Sequence, residues 1–122
     1  IGSIYGVVAP DLSIYDDLPR RSSEIYGMSK AAIINFSKYM AVYCKEMGIR
    51  CNSISPGGIY RNQGSIFVSK YSARTQLGRM ASVDEVVNAA TFLLSSDSSY
   101  INGHNLVVDG GLTVWLVLER MF

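Results

Sequence analysis

Between residues 26 and 47 the apolar side chains of Ile33, Phe36, Met40, Tyr43 and Met47 recur every three or four positions, while Lys38, Lys45 and Glu46 take other positions. That spacing predicts an amphipathic helix of about six turns at 3.6 residues per turn. Gly48 supplies a stop, and residues 49–55 alternate apolar and polar as a strand does until Pro56-Gly57-Gly58 breaks the chain. Ser82 and Glu85 form the Ser-x-x-Glu pattern of a capping box, predicting a second helix through Val86, Val87, Ala89, Ala90, Phe92, Leu93 and Leu94. A short strand is expected over 105–109, closed by Gly110-Gly111, and one or two short helices over 64–76 with Ile66, Phe67, Val68 and Tyr71 as their apolar side.

Helix, stop, strand and turn in this order predict an α/β fold with a parallel sheet. Ile1-Gly2-Ser3-Ile4 reads as the end of a buried strand, which needs neighbours on both sides, so the expectation is that something precedes it. Residues 7–25, with Pro10, Asp11, Asp16, Asp17, Pro19, Arg20 and Arg21, form a long loop. It is either a solvated surface or a lid facing a substrate.

Composition narrows the function. In 122 residues, 48% hydrophobic and 17% charged content describes a globular chain rather than a disordered one. Eleven basic against ten acidic residues, with no basic block, argue against a nucleic-acid or anionic-membrane partner. No run approaches the ~20 apolar residues that span a bilayer, and no signal-like segment opens the chain, so the expected compartment is the cytoplasm. Cys44 and Cys51, expected in the first helix and the following strand, read as buried free thiols, and no cysteine–histidine cluster predicts a metal. His104 reads as a solvated or locally bonded turn residue. Tyr39, Tyr43, Phe92 and Trp115 read as core or subunit contacts.

The chemistry concentrates where the long helix begins. Tyr26-Gly27-Met28-Ser29-Lys30 sets a phenol and an ammonium four residues apart on one helical face, and a nearby cation favours the phenolate. Such a pair suits general acid/base work, although the pattern alone arises by chance in many helices. Its context is more specific: Ser3-Ile4-Tyr5-Gly6 upstream, then Asn52-Ser53-Ile54-Ser55-Pro56-Gly57, Leu77-Gly78-Arg79-Met80, Ser98-Ser99-Tyr100-Ile101-Asn102-Gly103 and Val107-Val108-Asp109-Gly110-Gly111.

In this order the motifs resemble the short, single-domain type of the short-chain dehydrogenase/reductase family, from Ser3 to about Trp115. The resemblance implies that residues 1–122 are the C-terminal part of a Rossmann-type doubly wound parallel sheet, the catalytic and nicotinamide-side portion of one domain. It implies hydride transfer between NAD or NADP and a small-molecule carbonyl or alcohol, and a homo-dimer or homo-tetramer for the complete enzyme. Tyr26 would be the catalytic acid/base. Lys30 would support it and bind the nicotinamide ribose, and Ser3 would orient the substrate oxygen. Pro56, Gly57 and the backbone of Ile59 would line the nicotinamide pocket beside Tyr26 and Lys30.

Three departures qualify that carry-over. The Gly-rich turn, the residue that reads the adenosine ribose and the Asn-Asn-Ala-Gly segment are absent before Ser3, so the chain reads as a fragment with little activity alone. At the family's frequent Thr after Pro-Gly stand Arg61 and Asn62. The 23 positions between Ser3 and Tyr26 exceed the usual gap, and loop 7–25 holds the excess. Within the family, Ser3 to Asp11 with Ser55-Pro56-Gly57-Gly58-Ile59 looks like reductases of bacterial nonulosonic-acid and flagellin-glycosylation pathways, which implies a sugar-like substrate. The extended, sugar-nucleotide epimerase type competes, but the Val-Asp-Gly-Gly ending so soon after the capped helix argues against it. A truncated, non-catalytic chain acting as an interaction or dimerisation module is the alternative function.

Overall fold

The computed structural model describes residues 1–114; Trp115 and the tail after it lie outside the described residues. Five principal elements follow one another: α1 (Glu24–Tyr43), β1 (Ser53–Pro56), α2 (Ser65–Ser72), α3 (Val83–Leu94) and β2 (Asn105–Val108). Strands β1 and β2 pair in parallel, from Ser53 opposite Asn105 to Pro56 opposite Val108. On the other side of β1, the amide of Gly2 donates to the carbonyl of Ile54 at 2.7 Å, so the opening segment lies beside it. Flanked by helices, this is the α/β, Rossmann-like arrangement expected.

Helix α1 starts two residues earlier than its apolar spacing predicts, because the Ser23 hydroxyl accepts from the Tyr26 amide and caps it. It also ends earlier, at Tyr43, where a short 3-10 turn (Lys45–Met47) tightens the chain before Gly48 takes the left-handed conformation at φ 65°.

The larger correction concerns its inward face. Phe36 and Tyr43, expected to pack inward, are each 61% exposed, and Tyr39 stacks on Tyr43 in the open rather than in a core. Gly27, Lys30, Ile34, Ser37, Ala41 and Cys44 instead form the more buried stripe, also at three- and four-residue spacing. Most of these side chains are small, so the helix sits close to what it covers. A methyl group on Gly6 would stand 2.6 Å from the Lys30 carbonyl carbon, so only glycine lets the opening segment lie against α1. Size, not hydrophobicity, chooses this face.

β1 is shorter than the predicted 49–55 because side chains take over ladder bonds. Asn102 Oδ1 accepts from the Cys51 amide, and Asn52 Oδ1 from the His104 amide, both at 2.9 Å. The Arg50 guanidinium donates to the carbonyls of Leu93, Ser95 and Ile101, tying the end of α3 to this stretch. Cys51 therefore lies before the strand and is half-buried, whereas Cys44 is buried; both thiols are free. His104 is exposed, as a solvated turn residue would be, and its backbone bonds across to Asn52 and Ser53 rather than locally. β2 stops at Val108, one residue short of its predicted end, and Asp109 turns its carboxylate onto the amides of Gly111 and Thr113.

Between α1 and the strands the buried groups are hydroxyls. Ser53 and Ser55 both donate to Asn105 Oδ1, at 2.9 and 2.8 Å, and Ser37 bonds Ser53. Every partner is satisfied, so the burial of these polar groups is compensated. The apolar core is formed by Ile4, Ile14, Tyr71 and Met80, with Phe67, Val68, Val107 and Leu112 packed around them. Burying a side chain the size of Ile4 or Ile14 stabilises by about 1.5–3 kcal/mol. Ile14 comes from the long loop, in a 3-10 turn (Leu12–Tyr15), so that loop is anchored and not merely solvated.

Candidate active site

The C-terminal ends of the opening segment and of β1 converge on a cavity of about 810 Å³, the usual location for ligands in open parallel sheets. Ser3, Tyr26, Lys30, Pro56, Gly57 and Ile59, separated by up to 56 positions in the chain, all line it. The structure thus brings together every residue the sequence nominated.

Each arrives by a local cause. Ser3 is buried at the end of the opening segment, where its hydroxyl accepts from the Tyr5 amide at 3.2 Å and caps a short 3-10 turn (Ile4–Gly6). Tyr26 and Lys30 stand one turn apart at the start of α1, with the ammonium 5.5 Å from the centre of the Tyr26 ring. Lys30 donates to the Ile1 carbonyl at 3.3 Å, which turns its head toward the opening segment. An ammonium has three donors, and this bond uses one. Pro56 ends β1, Gly57 follows it, and Ile59 forms a one-residue bridge with Ala81.

Several lining residues were not nominated. The Tyr5 ring meets that of Tyr26 edge-on at 6.5 Å, and its hydroxyl lies 2.9 Å from that of Tyr15 on the long loop. Burial, with the Tyr15 hydrogen bond adding to it, pushes the Tyr5 phenol far above its ordinary range. Tyr71 lies over Gly58, where a methyl group would come within 2.6 Å of its ring, and its hydroxyl accepts from the Gly58 amide. Burial pushes Tyr71 up to about 12, against the opposing pull of that amide. Tyr5 and Tyr71 therefore stay protonated near neutral pH and serve as hydrogen-bonding walls.

Neither Arg61 nor Asn62 lines the cavity; Gln63 does, with its side-chain nitrogen donating to the Ile59 carbonyl at 2.8 Å. Arg20 and Arg21 line it too, contributed by the loop. Tyr5 could have been read from its place two residues after Ser3. Tyr15, Tyr71 and the arginines carry no such signal, since only the folded loop and α2 bring them in. Among the described residues no group of acidic, histidine and cysteine side chains could hold a metal.

Comparison with known proteins agrees with this architecture. Residues 14–113 match the protein-family model described as enoyl-(acyl carrier protein) reductase, a description of the model and not of this chain's reaction. A short-chain dehydrogenase from Leptospira borgpetersenii, solved with bound NAD+, is 50% identical and superposes with a TM-score of 0.85 over 92% of this chain and 42% of that one. Post-translational flagellin modification protein A of Campylobacter coli is 34% identical over 91% of this chain and 43% of its own length. Gluconate 5-dehydrogenase of Gluconobacter oxydans is 34% identical over 91% of this chain and 46% of its own length. The chain belongs to the short-chain dehydrogenase/reductase family. It spans less than half the length of these relatives.

Proposed function

We propose that these residues form the catalytic and nicotinamide-side part of an NAD(P)-dependent oxidoreductase acting on a small-molecule carbonyl or alcohol. The single observation that carries this reading is the shared cavity of Ser3, Tyr26 and Lys30, with Pro56, Gly57 and Ile59 opposite them. The cavity fits the cofactor's nicotinamide end. Lys30 keeps two donors beyond its bond to Ile1 for ribose hydroxyls, and Gly57 and Gly58 present a wall without side chains. When bound, the nicotinamide would supply or accept the hydride at the reacting carbon.

The residues handle the proton and the oxygen. In reduction Tyr26 gives its hydroxyl proton to the carbonyl oxygen as that oxygen gains charge, and Ser3 donates a hydrogen bond to the same oxygen. Lys30 stabilises the phenolate left on Tyr26 until a proton returns from solvent. In oxidation the same groups run in reverse, with Tyr26 taking the hydroxyl proton.

Similarity to the flagellin modification protein and to gluconate 5-dehydrogenase supports a sugar or sugar derivative as substrate. With the chain spanning less than half of its relatives, the 122 residues alone are expected to turn over little. Exposed Phe36, Tyr39, Val42 and Tyr43 on α1 favour assembly into dimers or tetramers. Among the described residues no helix is long and apolar enough to cross a membrane. The test is to follow nicotinamide absorbance with the full-length protein and a panel of carbonyl sugars. Tyr26→Phe should lower kcat by roughly 10²–10⁴-fold, the range for a lost acid/base; unchanged turnover would sink the mechanism.

A further inference from the structure

The long loop sorts its charges by direction. Two of its carboxylates turn to α2 and the residues just after it: Asp17 accepts from Lys70 at 2.6 Å, and Asp11 pairs with Arg74, while Asp16 is exposed and does not line the cavity. Its two arginines turn instead to the cavity, where Arg20 and Arg21 both line the wall. Neither guanidinium has an ion pair or hydrogen bond among the described residues. Among the described residues, they and Lys30 are the only charged side chains on the cavity lining, which includes no aspartate or glutamate. Glu24, three residues after Arg21, sits in the first turn of α1, is exposed and does not line it.

Chemistry limits what such a wall selects. A cation-lined cleft with no carboxylate attracts anions and repels cations, and the planar guanidinium suits the two oxygens of a carboxylate or phosphate. Ser22 and Ser23 line the wall beside the arginines and add hydroxyl donors. Lys30, on α1, sits beside Ile1 and Tyr26, whereas the two arginines are contributed by the loop. We propose that Arg20 and Arg21 bind an anionic group, carboxylate or phosphate, on the substrate, and so make this an oxidoreductase for acidic carbonyl or alcohol compounds. The proposal rests on the oxidoreductase reading for what reacts in the cavity, but its binding claim is tested separately.

Titration calorimetry on the full-length protein decides it, with glutarate, inorganic phosphate and neutral dimethyl glutarate as probes, each with and without saturating NAD+. At least one anion should bind with NAD+ present, the diester should not, and Arg20→Gln/Arg21→Gln should weaken that binding by about tenfold or more, as loss of charge-assisted hydrogen bonds predicts. Arg20→Lys/Arg21→Lys should recover part of it. Lys38→Gln/Lys45→Gln, the same charge change on an exposed face, should not weaken it. Preference between glutarate and phosphate tells which anion the subsite takes. The proposal is overturned if neither anion binds, if the double arginine variant binds both as the parent does, if the Lys38/Lys45 control weakens binding equally, or if NAD+ displaces the anion, which would assign the arginines to the dinucleotide's own phosphates. Tyr26→Phe distinguishes the two claims. It should leave anion binding intact, and retained turnover in it would defeat the catalytic reading without touching this one.

Discussion

The hydroxyls of Tyr5 and Tyr15 meet at 2.9 Å, joining the segment that carries Ser3 to the loop that carries Arg20 and Arg21. Two ion pairs hold the same loop from outside, Asp17 with Lys70 and Asp11 with Arg74. Both pairs are partly exposed, and solvent screening keeps the contribution of such pairs small. The tyrosine pair is partly buried and links the loop directly to the segment that carries Ser3.

Tyr15→Phe should therefore loosen the loop without removing any group from the reacting centre. We expect a loss of about 0.5–1.5 kcal/mol in unfolding free energy, the usual net worth of one hydrogen bond. KM should rise more than kcat falls, because the lost contact positions the substrate wall rather than moving a proton. Urea denaturation and steady-state kinetics on the full-length protein check both, and an equal fall in kcat and kcat/KM would contradict the assignment.

Gly6→Ala probes how Ser3 is seated. The added methyl would stand 2.6–2.8 Å from the backbone of Lys30 and Ala31, which cannot swing aside as a side chain would. Either the opening segment lifts away from α1 or the helix shifts, and both separate Ser3 from Tyr26 and Lys30. Overpacking of this kind costs about 1–3 kcal/mol. Activity should fall along with the denaturation midpoint; a fully stable and active variant would show that the contact relaxes freely.

At alkaline pH the buried phenols become a liability. Tyr71 is pushed up to about 12 from an ordinary value of 10.0, and Tyr5 is raised further by burial and by Tyr15. A folded value above the unfolded one means that the stability is complete below pH 10 and is lost as pH rises through 12. For Tyr71 the effect is on the order of 2–3 kcal/mol at 1.36 kcal/mol per unit. Phenolate absorbance should show two of the eight tyrosines titrating late, together with unfolding. Tyr71→Phe should flatten the stability profile between pH 10 and 12, and an unchanged slope would remove Tyr71 as its cause.

The sequence was informative where local chemistry decides structure. The Ser82–Glu85 capping box, the Gly48 stop and the paired strands were read from neighbours in the chain, and Tyr26 and Lys30 from one helical turn. It was misleading at Phe36, because periodicity marks apolar side chains without saying which face meets the sheet; Tyr39 and Tyr43, read as core or subunit contacts, are exposed, which leaves the subunit-contact half of that reading. Here Gly6 and Ser37 decide that face, by permitting close approach. The site's outer wall was hidden for a related reason. Arg20, Tyr15 and Tyr71 gain their roles only when the loop folds over α2, a tertiary contact with no repeating spacing to betray it.

Glu85 supplies a prediction at the acid end. Its carboxylate takes a two-pronged contact from Arg79, at 2.6 and 2.9 Å, and accepts from the Ser82 amide at 2.8 Å. Arg79 first, and then that capping bond, hold it down to about 2, below its ordinary 4.5. A folded value below the unfolded one gives stability that is present above pH 4.5 and lost as pH falls toward 2. Because the group is exposed, the effect is modest and should shrink in 0.5 M salt, which screens surface charges within a few ångströms. Urea midpoints taken from pH 5 to 2.5 should fall less steeply for Glu85→Gln than for the parent. Parallel curves would mean that other carboxylates carry the acid sensitivity, and that the start of α3 is held by packing rather than by its cap.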